Sequence, residues 1–196
     1  MTYMMAKENI ETIRNYLDYV DEHLDNVKES WNRFKTMDKA AQAATGGADT
    51  FLVDDFLYWE IDNWVRSHDI SKLSIEELVP YAEWFCGKYG VKYDMWDDGG
   101  CGDTKHEECR AAFLAAWEHH KEYNPHHWET WTQRGNTYPN EQYVHCIGMV
   151  LDWMAMGLKF GDTAEEYYEN NRDKIKIPKW ADELCLTIFK RLRKYT

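Results

Sequence analysis

The chain has 196 residues, enough for one well-buried core, and no Pro- or Ser-rich linker separates two such cores, so residues 1–196 read as a single domain. A net charge of −12 argues against a duplex nucleic-acid partner, because neutralising phosphates takes clustered Lys and Arg. No stretch is apolar for long enough to span a bilayer, and Met1 to Lys7 lack a basic segment followed by an apolar run, so a soluble cytoplasmic protein is expected.

Ten Trp, thirteen Tyr and seven Phe supply a large aromatic core, while only four Pro and eleven Gly leave room for long helices. The expected fold class is therefore all-α, a helical bundle. The five cysteines are odd in number and form no C-x-x-C pair, which points away from both a disulfide framework and a cysteine zinc site. The basic tail Lys190-Arg191-Leu192-Arg193-Lys194 suits the C-terminal end of its own helix dipole better than a polyanion.

In chain order, Ile13, Tyr16, Val20, His23, Val27 and Phe34 recur at helical spacing and predict a first helix from Ala6 to about Met37. Thr45-Gly46-Gly47 breaks it. Asp49 or Thr50 then caps a second helix carrying Phe51, Phe56, Trp59 and Trp64 toward His68. Ser74-x-x-Glu77 has the form of a capping box ahead of Leu78, Tyr81, Ala82 and Phe85, with a stop near Gly87 or Gly90. The acidic stretch Asp94 to Asp103 fails as a calcium loop, because with Asp94 first the third position is Trp96 and the twelfth Lys105. It reads as a connecting loop. Helices follow from about Lys105 to Tyr123 and from about Pro139 to Lys159. Two shorter ones come after Asp162-Thr163 and after Pro178.

Chemistry concentrates in His23, His68-Asp69, His119-His120, His126-His127 and Asp152. His23 is in register with Val20 and Val27, so its imidazole turns toward the core; alone, it reads better as a core histidine bonded to a carbonyl than as a ligand. Asp152 lies in the apolar run from Ile147 to Met156, where an unpartnered carboxylate costs several kcal/mol and so calls for a basic side chain or a metal. Phe113, Ala116, Trp117 and His120 share a face, which favours His120 over His119 as the inward imidazole. His145, seven residues before Asp152, is a reserve ligand. Adjacent His68 and Asp69 at a helix end can bind one metal and let the carboxylate bridge to a second.

This order of residues resembles the HD superfamily, in which an early His, an adjacent His-Asp and a distant Asp surround a metal. His23, His68, Asp69 and Asp152 match in order, and His68-Asp69-Ile70-Ser71-Lys72 is similar to the H-D-I-G-K form with Ser for Gly. His119-His120 resembles the His-His element of bimetallic members, but the G-Y-P signature of the cyclic-dinucleotide phosphodiesterases is missing, which argues against that substrate. A nearer resemblance is to an uncharacterised family of short bacterial and phage proteins with a His119-His120-x-x-x-Asn124-x-His126-His127 element followed by Asp152-Trp153.

The resemblance implies an HD-type bundle holding one or two divalent ions (Mn, Fe, Mg, Zn, Ni or Co) on His23, His68, Asp69, His119, His120 and Asp152. It also implies a metal-dependent phosphohydrolase for a nucleotide or another small phosphate ester, in which Asp69 joins the catalytic apparatus, Lys72 contacts a phosphate and His126 protonates the leaving group. Two other readings stay open: a di-iron oxygenase, since extra histidines favour two metals, and a non-enzymatic phage or defence-related binding protein with a structural metal. The aromatic content also suits a homo-oligomer or a protein partner.

Overall fold

The computed structural model describes residues 3–48, 50–52, 55–88, 104–132 and 139–196. The expected acidic loop Asp94 to Asp103 and the alternative cap Asp49 lie outside these. Among the described residues the structure is helical with no strand: α1 (Tyr3–Ala44), α2 (Asp55–Ser67), a 3₁₀ turn (Ile70–Leu73), α3 (Leu78–Cys86), α4 (Thr104–Tyr123), α5 (Trp128–Trp131), α6 (Pro139–Phe160), α7 (Ala164–Asn171) and α8 (Lys179–Tyr195). No helix of the described residues is long and apolar enough to cross a membrane.

The chain divides into two compact units, each discontinuous in sequence. The first comprises Met1–Glu22 and Asp69–Asn124; the second comprises His23–His68 and Pro125–Thr196.

In the first unit α3 packs on α4, and the 3₁₀ turn packs on both. Its core is aromatic. Tyr16 stacks on Tyr81 and Phe85, with ring centroids 6.0 and 6.5 Å apart, and Trp84 stacks on Phe113 at 4.9 Å. Such offset stacks add about 0.5–1.5 kcal/mol each beyond the burial of area.

In the second unit α6 is the central helix, packing against α2, α5, α7 and α8. Val144, Ile147, Val150, Leu151 and Ala155 are all buried on it, so it is apolar nearly all round, as a helix enclosed by others must be. α8 adds Ala181, Leu184, Cys185, Ile188 and Phe189 to the same core. Arg193 and Lys194 occupy its last turn, where cations complement the dipole.

Three local expectations are corrected. First, α1 continues to Ala44 and stops where Gly46 and Gly47 take φ of 64° and 91°, conformations that cost glycine little. Second, α2 starts at Asp55, and Thr50 does not cap it. Thr50 Oγ1 donates to Asp38 Oδ2 at 2.6 Å, and the Phe51 and Leu52 amides donate to the same carboxylate at 2.6 and 3.3 Å, tying this segment to α1. The buried face of α2 is Leu57, Ile61 and Val65, spaced four apart, while Phe56 and Trp59 are exposed. Third, Ser74 and Glu77 do not form a capping box. The Ser74 amide donates to Ser71 O at 2.8 Å, α3 begins only at Leu78, and the Glu77 side chain turns inward. A true capping box closes the start of α7, between Thr163 and Glu166.

Candidate metal centre

Three donor atoms converge within the second unit. His23 comes from α1, His68 from the turn after α2, and Asp152 from the middle of α6. His23 Nε2 lies 3.0 Å from His68 Nε2 and 3.2 Å from Asp152 Oδ1, and His68 Nε2 lies 3.5 Å from the same oxygen. His23 and His68 are 2% and 3% exposed, and the Asp152 side chain keeps 16%.

Burial by itself would push the Asp152 carboxyl up, but hydrogen bonding to His23 and His68 and the nearby His126 overcome it and hold the group well below the usual carboxylate range. It is an anion facing two imidazoles.

These separations fit a divalent ion. Ligand atoms about 2.0–2.2 Å from a metal stand roughly 3.0 Å apart when octahedral and roughly 3.4 Å apart when tetrahedral. The His–His contact carries the same message, since two imidazole lone pairs at 3.0 Å repel unless an electrophile, a proton or a metal ion, lies between them. His23, His68 and Asp152 are thus a buried group that can hold a metal ion. An ion held tetrahedrally by three such donors would have one further coordination position.

Two further rings border His68. The Trp64 ring meets His68 edge-on at 4.6 Å and His126 at 5.4 Å, and His126 lies 4.6 Å from His68. Gly148, one helical turn before Asp152, makes room for that indole. A Cβ at residue 148 would sit 2.8 Å from Trp64 Cε2. His127 packs on His126 with ring centroids 4.2 Å apart, and the reserve ligand His145 stands 3.8 Å from Glu141 Oε1, outside the three-donor group.

The other expected site residues belong to the first unit. The boundary falls at the His68–Asp69 peptide, where Asp69 takes the left-handed conformation with φ 54°, alone among the described non-glycine residues. That conformation costs an L-residue about 1–2 kcal/mol, with Asp among the more tolerant types, and it ends the helical course of α2. Asp69 Oδ2 pairs with Lys72 Nζ at 2.6 Å, and its Oδ1 stands 3.4 Å from His120 Nε2. Burial would lower the Lys72 pKa, but Asp69 outweighs it, with Tyr19 and Tyr16 contributing, so the ammonium is raised well above its ordinary value. Lys72 is committed to Asp69.

His120 is buried on the face of Phe113 and Ala116, as its spacing requires. Its Nδ1 is 2.8 Å from Glu77 Oε2, while His119 Nδ1 is 2.7 Å from Glu77 Oε1. Glu77 was not legible as a site residue. A Glu three positions after a Ser has a local explanation as a helix cap, and only the tertiary structure shows its carboxylate fully buried against two imidazoles. Burial would raise the Glu77 pKa, but hydrogen bonds from His120, His119 and Ser71 prevail and lower it.

No curated protein and no solved structure matches the chain significantly. A family profile does match, over residues 12–194, from the early turns of α1 to the last turn of α8. The match takes in every residue of the three-donor group and of the Glu77 cluster. The chain belongs to the Family of unknown function (DUF5662).

Proposed function

We propose that this protein is a divalent-metal-dependent phosphohydrolase acting on a nucleotide or another small phosphate ester, with its metal on His23, His68 and Asp152. The observation that carries the reading is the convergence of His23 Nε2, His68 Nε2 and Asp152 Oδ1 to within 3.0–3.5 Å of one another. When bound, a divalent ion supplies Lewis acidity that polarises a phosphoryl oxygen and acidifies water. His23 and His68 contribute neutral nitrogen donors, Asp152 balances charge, and Trp64 shields His68 from solvent. His126, with its ring 4.6 Å from that of His68, is the residue we assign to protonate the leaving group. The resemblance to the HD superfamily supports the phosphate-ester class.

The test is phosphate release from a panel of nucleotides and phosphomonoesters with Mn²⁺, together with the metal content of the protein. His68→Ala and Asp152→Ala should each lose the metal and reduce turnover on the order of 10³-fold or more. A folded His68→Ala that keeps both its metal and its turnover overturns the site. Two irons per chain with oxygen consumption and no phosphate release would make the protein an oxygenase, and bound metal without turnover would make it a binding protein.

A further inference from the structure

Within the first unit, one buried carboxylate serves two neighbouring imidazoles. Glu77 Oε1 and Oε2 each take one histidine, His119 Nδ1 at 2.7 Å and His120 Nδ1 at 2.8 Å, and the Glu77 side chain is fully buried. An ionised carboxylate only accepts hydrogen bonds, so each contact requires a hydrogen on the imidazole Nδ1.

Asn124 offers His120 no alternative. Its Nδ2 lies 3.0 Å from His120 Nδ1, but its two amide hydrogens are directed to Ser71 Oγ at 2.6 Å and to the His120 carbonyl at 2.8 Å. Turning the amide over would set its oxygen against that carbonyl, so the assignment of nitrogen and oxygen is fixed. Ser71 Oγ stands 3.4 Å from His120 Nδ1, a longer contact than the 2.8 Å from that nitrogen to Glu77 Oε2.

We propose that Glu77 is a positioning residue that accepts the Nδ1 hydrogens of His119 and His120 together, so that both imidazoles are fixed with Nδ1 as a hydrogen-bearing nitrogen. For His120 the opposite nitrogen, Nε2, stands 3.4 Å from Asp69 Oδ1; for His119, whose ring stacks on Tyr123 at 4.3 Å, Nε2 belongs to a side chain that is 23% exposed. Neutral histidine serves as a base or a cation ligand only through a nitrogen without hydrogen, and a carboxylate on the opposite nitrogen selects which one that is. Glu77 thereby fixes the same nitrogen of two adjacent residues of α4 as a hydrogen donor. The inference does not depend on the metal assigned to His23, His68 and Asp152.

Imidazole nitrogens of the ¹⁵N-labelled, metal-free full chain, read by long-range ¹H–¹⁵N correlation at about pH 8.5, above the ordinary histidine range, test this directly. In the wild type, Nδ1 of both His119 and His120 should carry hydrogen. Glu77→Gln keeps the shape but replaces one acceptor oxygen by an NH₂ donor. One Nδ1 should then lose its hydrogen, and the other histidine should stay unchanged. A bare Nδ1 on either residue in the wild type overturns the proposal, and that arm needs no variant. Both Nδ1 atoms still protonated in a folded Glu77→Gln protein would overturn it as well, because a purely structural role for Glu77 predicts no tautomer change.

Discussion

At the scale of the residue, two buried charges of the first unit are held by their partners in a fixed balance: Lys72 pairs with Asp69, and Glu77 accepts hydrogen bonds from two histidines. The balance has a pH signature. Because hydrogen bonding keeps the Glu77 carboxyl below its ordinary value despite burial, folding favours its ionised form. Its contribution is fully present above the ordinary carboxylate range and is lost as the pH falls through the lowered value, beneath that range. Glu77→Gln cannot titrate, so its denaturation midpoint should fall less steeply than that of the wild type in this acid window. Urea melts at stepped pH check this, and parallel profiles for the two proteins would count against it. The inward course of Glu77 was hidden in the sequence because its spacing from Ser74 satisfies a local rule, whereas its actual partners are 42 and 43 residues away.

At the scale of the element, the approach of α2 to α6 depends on Gly148 as much as on apolar side chains. The Trp64 indole fills the space a side chain at 148 would need, and the same indole borders His68 and His126. Gly148→Ala should therefore destabilise the protein by about 1–3 kcal/mol, the usual cost of overpacking, even though alanine is the better helix former. Chemical denaturation gives the size, and Trp fluorescence should report a changed environment for Trp64. A neutral or stabilising effect would mean that the indole yields easily. Most elements were legible because 3.6-residue periodicity is a property of the chain itself; α4, α6 and α8 follow their predicted bounds closely. The start of α2 was not, because Thr50, a good cap by type, instead meets Asp38 from α1.

At the scale of the whole molecule, a metal on His23, His68 and Asp152 would couple binding to folding, since α1, α2 and α6 supply one ligand region each and the unfolded chain brings none of them together. A divalent ion at 100 times its dissociation constant should stabilise the protein by about 2.7 kcal/mol. For a chain of this size that is a rise in melting temperature of roughly 5–10 °C. Scanning calorimetry with and without Zn²⁺ or Mn²⁺ should show the rise in the wild type and not in His23→Ala. An equal rise in both proteins would place the ion elsewhere.

The sequence by itself determined the all-helical class, the inward register of His23 and His120, and the need of Asp152 for a partner, because periodicity and the cost of burying charge act along a single helix. Tertiary structure decided which donors meet. His68 joins His23 and Asp152, whereas its neighbour Asp69, in a left-handed turn, is matched to Lys72 and His120. Adjacency in sequence carried no information about that division, since the direction of a side chain after a helix end is set by one backbone dihedral and by partners drawn from distant segments.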